Sequence, residues 1–188
     1  MKPVPTKTAL LTLDFQKRIF GFVPGADAII PNAAKTVELA RKKQVHMIHL
    51  GLGFAESHPE ISDVESPFQR VKQNNLFING APSEFHSSIA RPEERVVDKQ
   101  RVSAFSETQL HLILRSRGIE NRVLFGIATS AITVSTVRRA FDMDSRCDVI
   151  KGVCFDAHQE VHRVLTEKLF PAQATAATAD AFIAEQAE

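Results

Sequence analysis

Three short stretches of this chain hold side chains that could do chemistry. Asp14 closes the apolar run Ala9-Leu10-Leu11-Thr12-Leu13. A carboxyl group at the end of a buried strand loses its water, which raises its pKa and suits it to act as a general acid or base. Lys99 opens the stretch Lys99 to Phe105, and an ammonium group close to Asp14 would oppose that rise and favour the carboxylate. The third stretch, Gly126 to Thr136, reads as a strand that ends at a glycine and runs into a helix, with Thr129 or Ser130 at the N-cap. Backbone N–H groups at such a helix start can hold an anion or an oxyanion. Plain readings stand beside these. Asp14 could be a strand-end hydrogen-bond acceptor, Lys99 a solvated lysine, and the third stretch an ordinary capped turn. A hydroxyl nucleophile needs a base, and the one candidate is Asp14, so capping is the expected work of Thr129, Ser130 and Thr133. Cys154 lies just past a candidate strand end, either bordering the same crevice or serving as a small buried residue.

Short apolar strands that alternate with helical patterns must position these residues. The pattern predicts strands over 8–13, 45–51, 95–98, 121–126, 147–151 and 173–177. It predicts helices over 27–43, 83–90, 106–117, 130–143, 158–168 and 178–186. Ser106 and Gln109 have the spacing of a capping box, and Gly118 is placed to end that helix. The order predicts an α/β fold, doubly wound, with a mainly parallel sheet and helices on both faces. Ligands in such sheets bind beyond the carboxyl ends of the strands. Asp14, Lys99 and the Gly126 turn all fall there, and they converge only if their strands are neighbours. The long stretch from 53 to 82, with Pro59, Pro67, Asn74, Asn75 and Gly80, is expected to be a lid or an interface arm.

A length of 188 residues fits one domain spanning 1–188. Charge is balanced, 23 basic residues against 22 acidic, which argues against nucleic acid or a charged membrane surface as partner. The apolar run before Asp14 is too short for a secretory leader, and no run is long enough to span a bilayer, so a soluble cytoplasmic protein is expected. Cys147 and Cys154 flank one predicted strand and are expected to be reduced. With neither Trp nor Tyr present, 13 Phe supply the aromatic surface and no tyrosine can serve as an acid. His158 and His162 share one helix face at i, i+4 but lack a third ligand, and His46 and His49 point to opposite faces of a strand. No metal and no cofactor are expected.

Asp14-Phe15-Gln16, Lys99 to Phe105, Gly126…Thr129…Thr136 and Asp156-Ala157-His158-Gln159-Glu160-Val161-His162 together resemble the isochorismatase-like hydrolase superfamily, over nearly the whole chain. The resemblance implies a Rossmann-type three-layer sandwich. It implies that Asp14 is the catalytic acid/base and Lys99 its electrostatic partner. The turn Thr129, Ser130, Ala131 and Ile132 would cradle the substrate or oxyanion, and Phe15, Gln16 and Phe20 would line the pocket. In amide-cleaving members of the superfamily a cysteine attacks the carbonyl, and here Ile132 stands at that position. Isochorismatases proper also lack the cysteine and cleave a vinyl ether by acid catalysis. The chain looks like a subfamily without the nucleophilic cysteine. The expected partners are a small-molecule substrate and further copies of the chain, as a dimer or tetramer. The rival reading is a catalytically silent ligand-binding or interaction protein on the same fold.

Overall fold

Six parallel strands form one sheet in the order β3-β2-β1-β4-β5-β6, seen in a computed structural model that describes residues 7–64, 68–78, 84–179 and 181–182. They are β1 (Thr8–Leu13), β2 (His46–Leu52), β3 (Arg95–Lys99), β4 (Asn121–Gly126), β5 (Arg146–Ile150) and β6 (Thr175–Ala177). Every residue of β1 is buried. A strand covered on both faces needs such a continuous apolar run rather than an alternating one. The chain steps outward from β1 to β3, returns to lay β4 beside β1, and then steps outward the other way. The reversal puts the switch point of the doubly wound sheet between the carboxyl ends of β1 and β4, where such folds place their ligands. Gly126 makes that junction tight, because a Cβ there would fall 2.5 Å from Cβ of Leu13. The six predicted strands all form, with bounds shifted by two residues at most.

The helices are α1 (Lys17–Phe22), α2 (Ile30–Lys42), α3 (Gln69–Gln73), α4 (Leu110–Ser116), α5 (Val134–Asp142) and α6 (Gln159–Val164). α2 buries Ala33, Thr36, Val37 and Ala40, the spacing of one apolar stripe laid on a sheet. π-helical turns, Thr129–Thr133 and Leu165–Leu169, precede α5 and follow α6. α4 ends as expected. Gly118 takes φ 64°, its N–H donates to the Arg115 carbonyl, and Ile119 N–H donates to that of Leu114.

Three expectations need correction. The capping box does not form, because Glu107 adopts a left-handed φ of 57° and Thr108 starts the helix instead. The Thr108 hydroxyl donates to Ala104 O at 2.6 Å and accepts the N–H of Leu110 at 3.2 Å. The helix expected over 83–90 is absent from residues 84–90. There Phe85 is buried and pairs with Gln16 as an antiparallel bridge, which requires extended backbone. The stretch from 53 to 82 carries the short α3 rather than being irregular throughout. Of the helix expected over 178–186, residues 179, 181 and 182 are helical, with Phe182 N–H donating to Thr178 O at 3.0 Å, and the rest of it, like parts of the long stretch, lies outside the described residues. Both cysteines are free. Among the described residues no helix is long and apolar enough to cross a membrane.

Candidate active site

Asp14 leaves β1 in a left-handed conformation, φ 60°, with its N–H held by the Leu50 carbonyl of β2 at 2.8 Å. Asp tolerates this region better than most residues. One carboxylate oxygen, Oδ2, lies 3.1 Å from Nζ of Lys99. The lysine stands on β3, two strands from β1, so its long side chain spans the gap that the strand order leaves. Both groups are buried, Lys99 at 1 % exposure and Asp14 at 6 %. Nζ also donates to the carbonyl of Arg101 at 3.3 Å. Burial pushes the Asp14 carboxyl above its ordinary value, and Lys99 opposes this without cancelling it. The second oxygen, Oδ1, is buried and has no hydrogen-bond partner among the described residues. A buried carboxylate oxygen without a partner is costly to the fold and is free to meet a ligand.

The turn after β4 begins against the same strand, with Ile127 N–H donating to Leu13 O at 3.2 Å. Most amides of the turn are already committed. Thr129 N–H goes to Phe155 O at 2.8 Å, and those of Ala131 and Thr133 go to Ala128 O. Ser130 N–H goes to Oδ2 of Asp156 at 2.7 Å. Among the described residues no hydrogen bond takes the N–H of Ala128, which lies just before the helical turn. An amide without a partner at such a turn can receive a negative oxygen. Ile132 itself is buried, with its side chain in the core.

Capping here differs from the sequence expectation. Neither Thr129 nor Ser130 caps with its side chain. The Thr129 hydroxyl turns instead to the carbonyl of Phe155 (3.1 Å) and to Nδ1 of His162 (2.8 Å). Asp156 caps from a distance, accepting Ser130 N–H on one oxygen and His158 N–H on the other, which ties the turn to the start of α6. Burial pushes the Asp156 carboxyl upward, but the Ser130 and His158 bonds outweigh it and hold the group below its ordinary value. His162, expected on a solvated face, is half-buried against this turn, and burial lowers its pKa.

The three aromatic and amide residues expected to line the pocket are turned elsewhere. Phe15 is fully buried, edge-on to Phe125 at 5.4 Å and to Phe20 at 6.3 Å. Gln16 is fully buried and clamps the backbone of Leu52 from both sides, donating to its carbonyl at 2.8 Å and accepting its N–H at 2.7 Å. Phe20 fills the space between Phe15 and His86. Polar Gln16 follows a buried strand directly, which marked it as special, but the strand end needed it for structure. Three cavities of similar size lie at other residues. One, of about 580 Å³, borders Cys154, Asp156 and His162. A second, of about 530 Å³, borders His111, Arg122 and Asp144. The third, of about 510 Å³, lies between α1, the end of β2 and α3.

The sequence reading missed a second buried charge cluster. Thr12 Oγ1 lies 2.7 Å from Nδ1 of His49, and His49 Nε2 lies 2.9 Å from Glu94. Arg41 grips both oxygens of Glu94 at 2.7 Å each, and the amide of Arg91 adds a further bond. A histidine inside a strand that is otherwise apolar was the available signal. Among the described residues no three His, Cys, Asp or Glu side chains come together in a metal-binding group.

A buried Asp–Lys ion pair stands at the carboxyl edge of a 3-2-1-4-5-6 parallel sheet, the arrangement of a doubly wound α/β protein. Comparison with known proteins narrows this. Residues 8–181 match the isochorismatase domain family. An uncharacterized isochorismatase family protein of Bacillus subtilis, YwoC, is 30% identical over 187 residues, covering 94% of this chain and 93% of its own length. Ureidoacrylate amidohydrolase RutB of Rhizobium rhizogenes is 28% identical over 165 residues, covering 74% of this chain and 67% of its own. Among solved structures, a cysteine hydrolase from Pseudomonas syringae superposes with a TM-score of 0.85 at 19% identity, covering all of this chain and 95% of its own, a likeness of fold. This chain belongs to the isochorismatase family of hydrolases.

Proposed function

We propose that the chain is a small-molecule hydrolase in which Asp14 moves the proton, Lys99 steadies it, and no cysteine takes part. The observation that carries this reading is the buried Asp14–Lys99 pair with one carboxylate oxygen left open. The superfamily resemblance puts Ile132 where the amide-cleaving members carry their nucleophile, so water must attack directly. Two routes fit the same residues. In amide-type C–N hydrolysis, ionised Asp14 takes a proton from water, and the water oxygen bonds to the carbonyl carbon. The carbonyl electron pair moves to oxygen, which accepts the N–H of Ala128. The C–N bond then breaks as Asp14 returns the proton to nitrogen. The likeness to an enzyme named as a ureidoacrylate amidohydrolase favours this route. In vinyl-ether cleavage, protonated Asp14 gives its proton to the vinyl carbon, and water adds to the oxocarbenium carbon as the Asp14 carboxylate takes a proton from that water. The resulting hemiketal then splits to a ketone and an alcohol. The upward shift of Asp14 suits this second route.

A catalytically silent binding protein is the other reading, favoured by the buried aliphatic side chain of Ile132. A hydrolysis panel of small amides, ureas and isochorismate, run on wild type and Asp14→Asn, separates the two. Turnover that disappears with Asp14 supports the hydrolase. Turnover that persists in Asp14→Asn, or none with any substrate, sinks the proposed mechanism.

A further inference from the structure

We propose that the cavity between α1, the end of β2 and α3 binds the body of the substrate, and that this substrate is an organic anion with an aromatic or branched alkyl group. The inference rests on the hydrolase reading for the word substrate, while the binding site itself is testable without it.

Placement supports it first. Leu52, which lines the cavity, is the register partner of Lys99. Partnered residues on adjacent strands present their side chains to the same face of a sheet. Ile19, another wall, belongs to the helix that begins three residues after Asp14. Two walls of the cavity therefore come from elements adjacent to those that carry Asp14 and Lys99 to the carboxyl edge of the sheet, although neither of those residues lines it.

Its chemistry supports the ligand class. Phe22, Phe68 and Phe77 line it. Phe22 is 60 % exposed and its ring stands 6.3 Å from that of Phe77. A large aromatic side chain left in water beside a second ring marks a place where apolar surface is to be covered. The polar side chains of the lining are Arg70 and Asn74. Asn74 donates to the Arg70 backbone carbonyl at 2.8 Å. Among the described residues the Arg70 guanidinium has no carboxylate and no other acceptor. A guanidinium at the rim of an aromatic pocket matches a carboxylate joined to an apolar body. A volume of about 510 Å³ is in the range of small-molecule sites.

The test uses an aromatic sulfonate, 8-anilinonaphthalene-1-sulfonate, whose emission rises in apolar surroundings. The chain has no Trp or Tyr to interfere. The full chain is titrated as wild type, Phe22→Ser, Arg70→Gln and Arg70→Lys, and the dye is displaced with 4-phenylbutanoate or neutral 4-phenylbutanamide. Saturable binding at one site per chain is expected, displaced by the acid far better than by the amide. Phe22→Ser is expected to weaken binding about 10-fold, as loss of one buried aromatic contact does. Arg70→Gln should weaken it about 5-fold or more, and Arg70→Lys should restore most of the loss. The readout is dye binding rather than turnover, so a failed hydrolysis panel leaves this result readable by itself. Dye affinity unmoved by both Phe22→Ser and Arg70→Gln overturns the proposal. So does light scattering that shows Phe22→Ser splitting a dimer while dye binding stays intact, because the face would then join two copies of the chain.

Discussion

Asp14 is buried and Glu94 partly buried, each with a basic side chain at hydrogen-bond distance, yet burial wins at one and loses at the other. Burial pushes both upward. At Glu94, two bonds from Arg41, one from His49 and one from the Arg91 amide outweigh it and hold the group far below the carboxylate range. Glu94 accepts from Nε2 of His49, whose other ring nitrogen meets the Thr12 hydroxyl, so both ring nitrogens have partners. At Asp14 a single lysine supplies the opposition, and Oδ1 stays open. A saturated network fastens β1, β2 and α2 to the segment before β3. An unsaturated one keeps a group ready for a ligand, and it costs stability to do so.

The largest effect that breaks this comparison is on turnover. Asp14→Asn should lower kcat/KM on any substrate found by roughly 10²–10⁴-fold, the usual contribution of a positioned acid or base. The same variant leaves the buried Lys99 ammonium without its carboxylate, so a loss of stability accompanies the loss of turnover. The double variant Asp14→Asn/Lys99→Met should regain stability and stay inactive, and a double variant that regained turnover would show that the carboxylate serves only the fold.

Glu94→Ala should lower stability and leave turnover alone. It leaves Arg41 and His49 without their acceptor, and a loss of about 2–3 kcal/mol is expected. That corresponds to roughly 5–10 °C in melting temperature for a chain of this size. The folded pKa of Glu94 lies below its ordinary value of 4.5. Its stabilisation is therefore complete above that value and is lost as pH falls below it. Wild type should weaken toward acid through this term, and Glu94→Gln should show a flatter acid limb in denaturant titrations. For Asp14 the sign is opposite, since the folded state holds the proton more tightly and acid costs nothing there.

Much of this contrast was hidden in the sequence for a physical reason. The strands were legible, because a strand covered on both faces must read as an unbroken apolar run, as 8–13 and 121–126 do. Asp14, Lys99 and the Gly126 turn were also legible, since each sits where such a strand ends. What the sequence could not reveal were partners distant along the chain. Asp156 was quoted only as part of a motif, although it holds the turn through Ser130, 26 residues earlier. Gln16 was read as pocket lining, but a strand-end amide can equally clamp a neighbouring backbone, as it does at Leu52. The failed helix over 83–90 has the same origin. Phe85 follows the demand of a long-range bridge to Gln16 over any local preference.

A smaller effect is expected at Asp156. If it positions the turn, Asp156→Asn should lower kcat about 10-fold with KM nearly unchanged, and Asp156→Glu should recover part of it. A matched change in KM alone would assign it to binding. The smallest effect concerns the thiols. Burial pushes Cys147 and Cys154 up to about 12. Treatment of native protein with iodoacetamide at neutral pH should therefore leave turnover within error and leave both cysteines unmodified by mass spectrometry. Inactivation by the reagent would bring a cysteine back into the mechanism.

The most direct test is a ¹³C NMR titration of the side-chain carboxyl groups, with Asp14 and Glu94 assigned through their Asn and Gln variants. Asp14 is expected to titrate above its ordinary 3.8, and higher still in Lys99→Met, while Glu94 stays ionised well below 4.5. An Asp14 that titrates at or below 3.8 would mean that Lys99 outweighs burial, and the two carboxylates would then be alike.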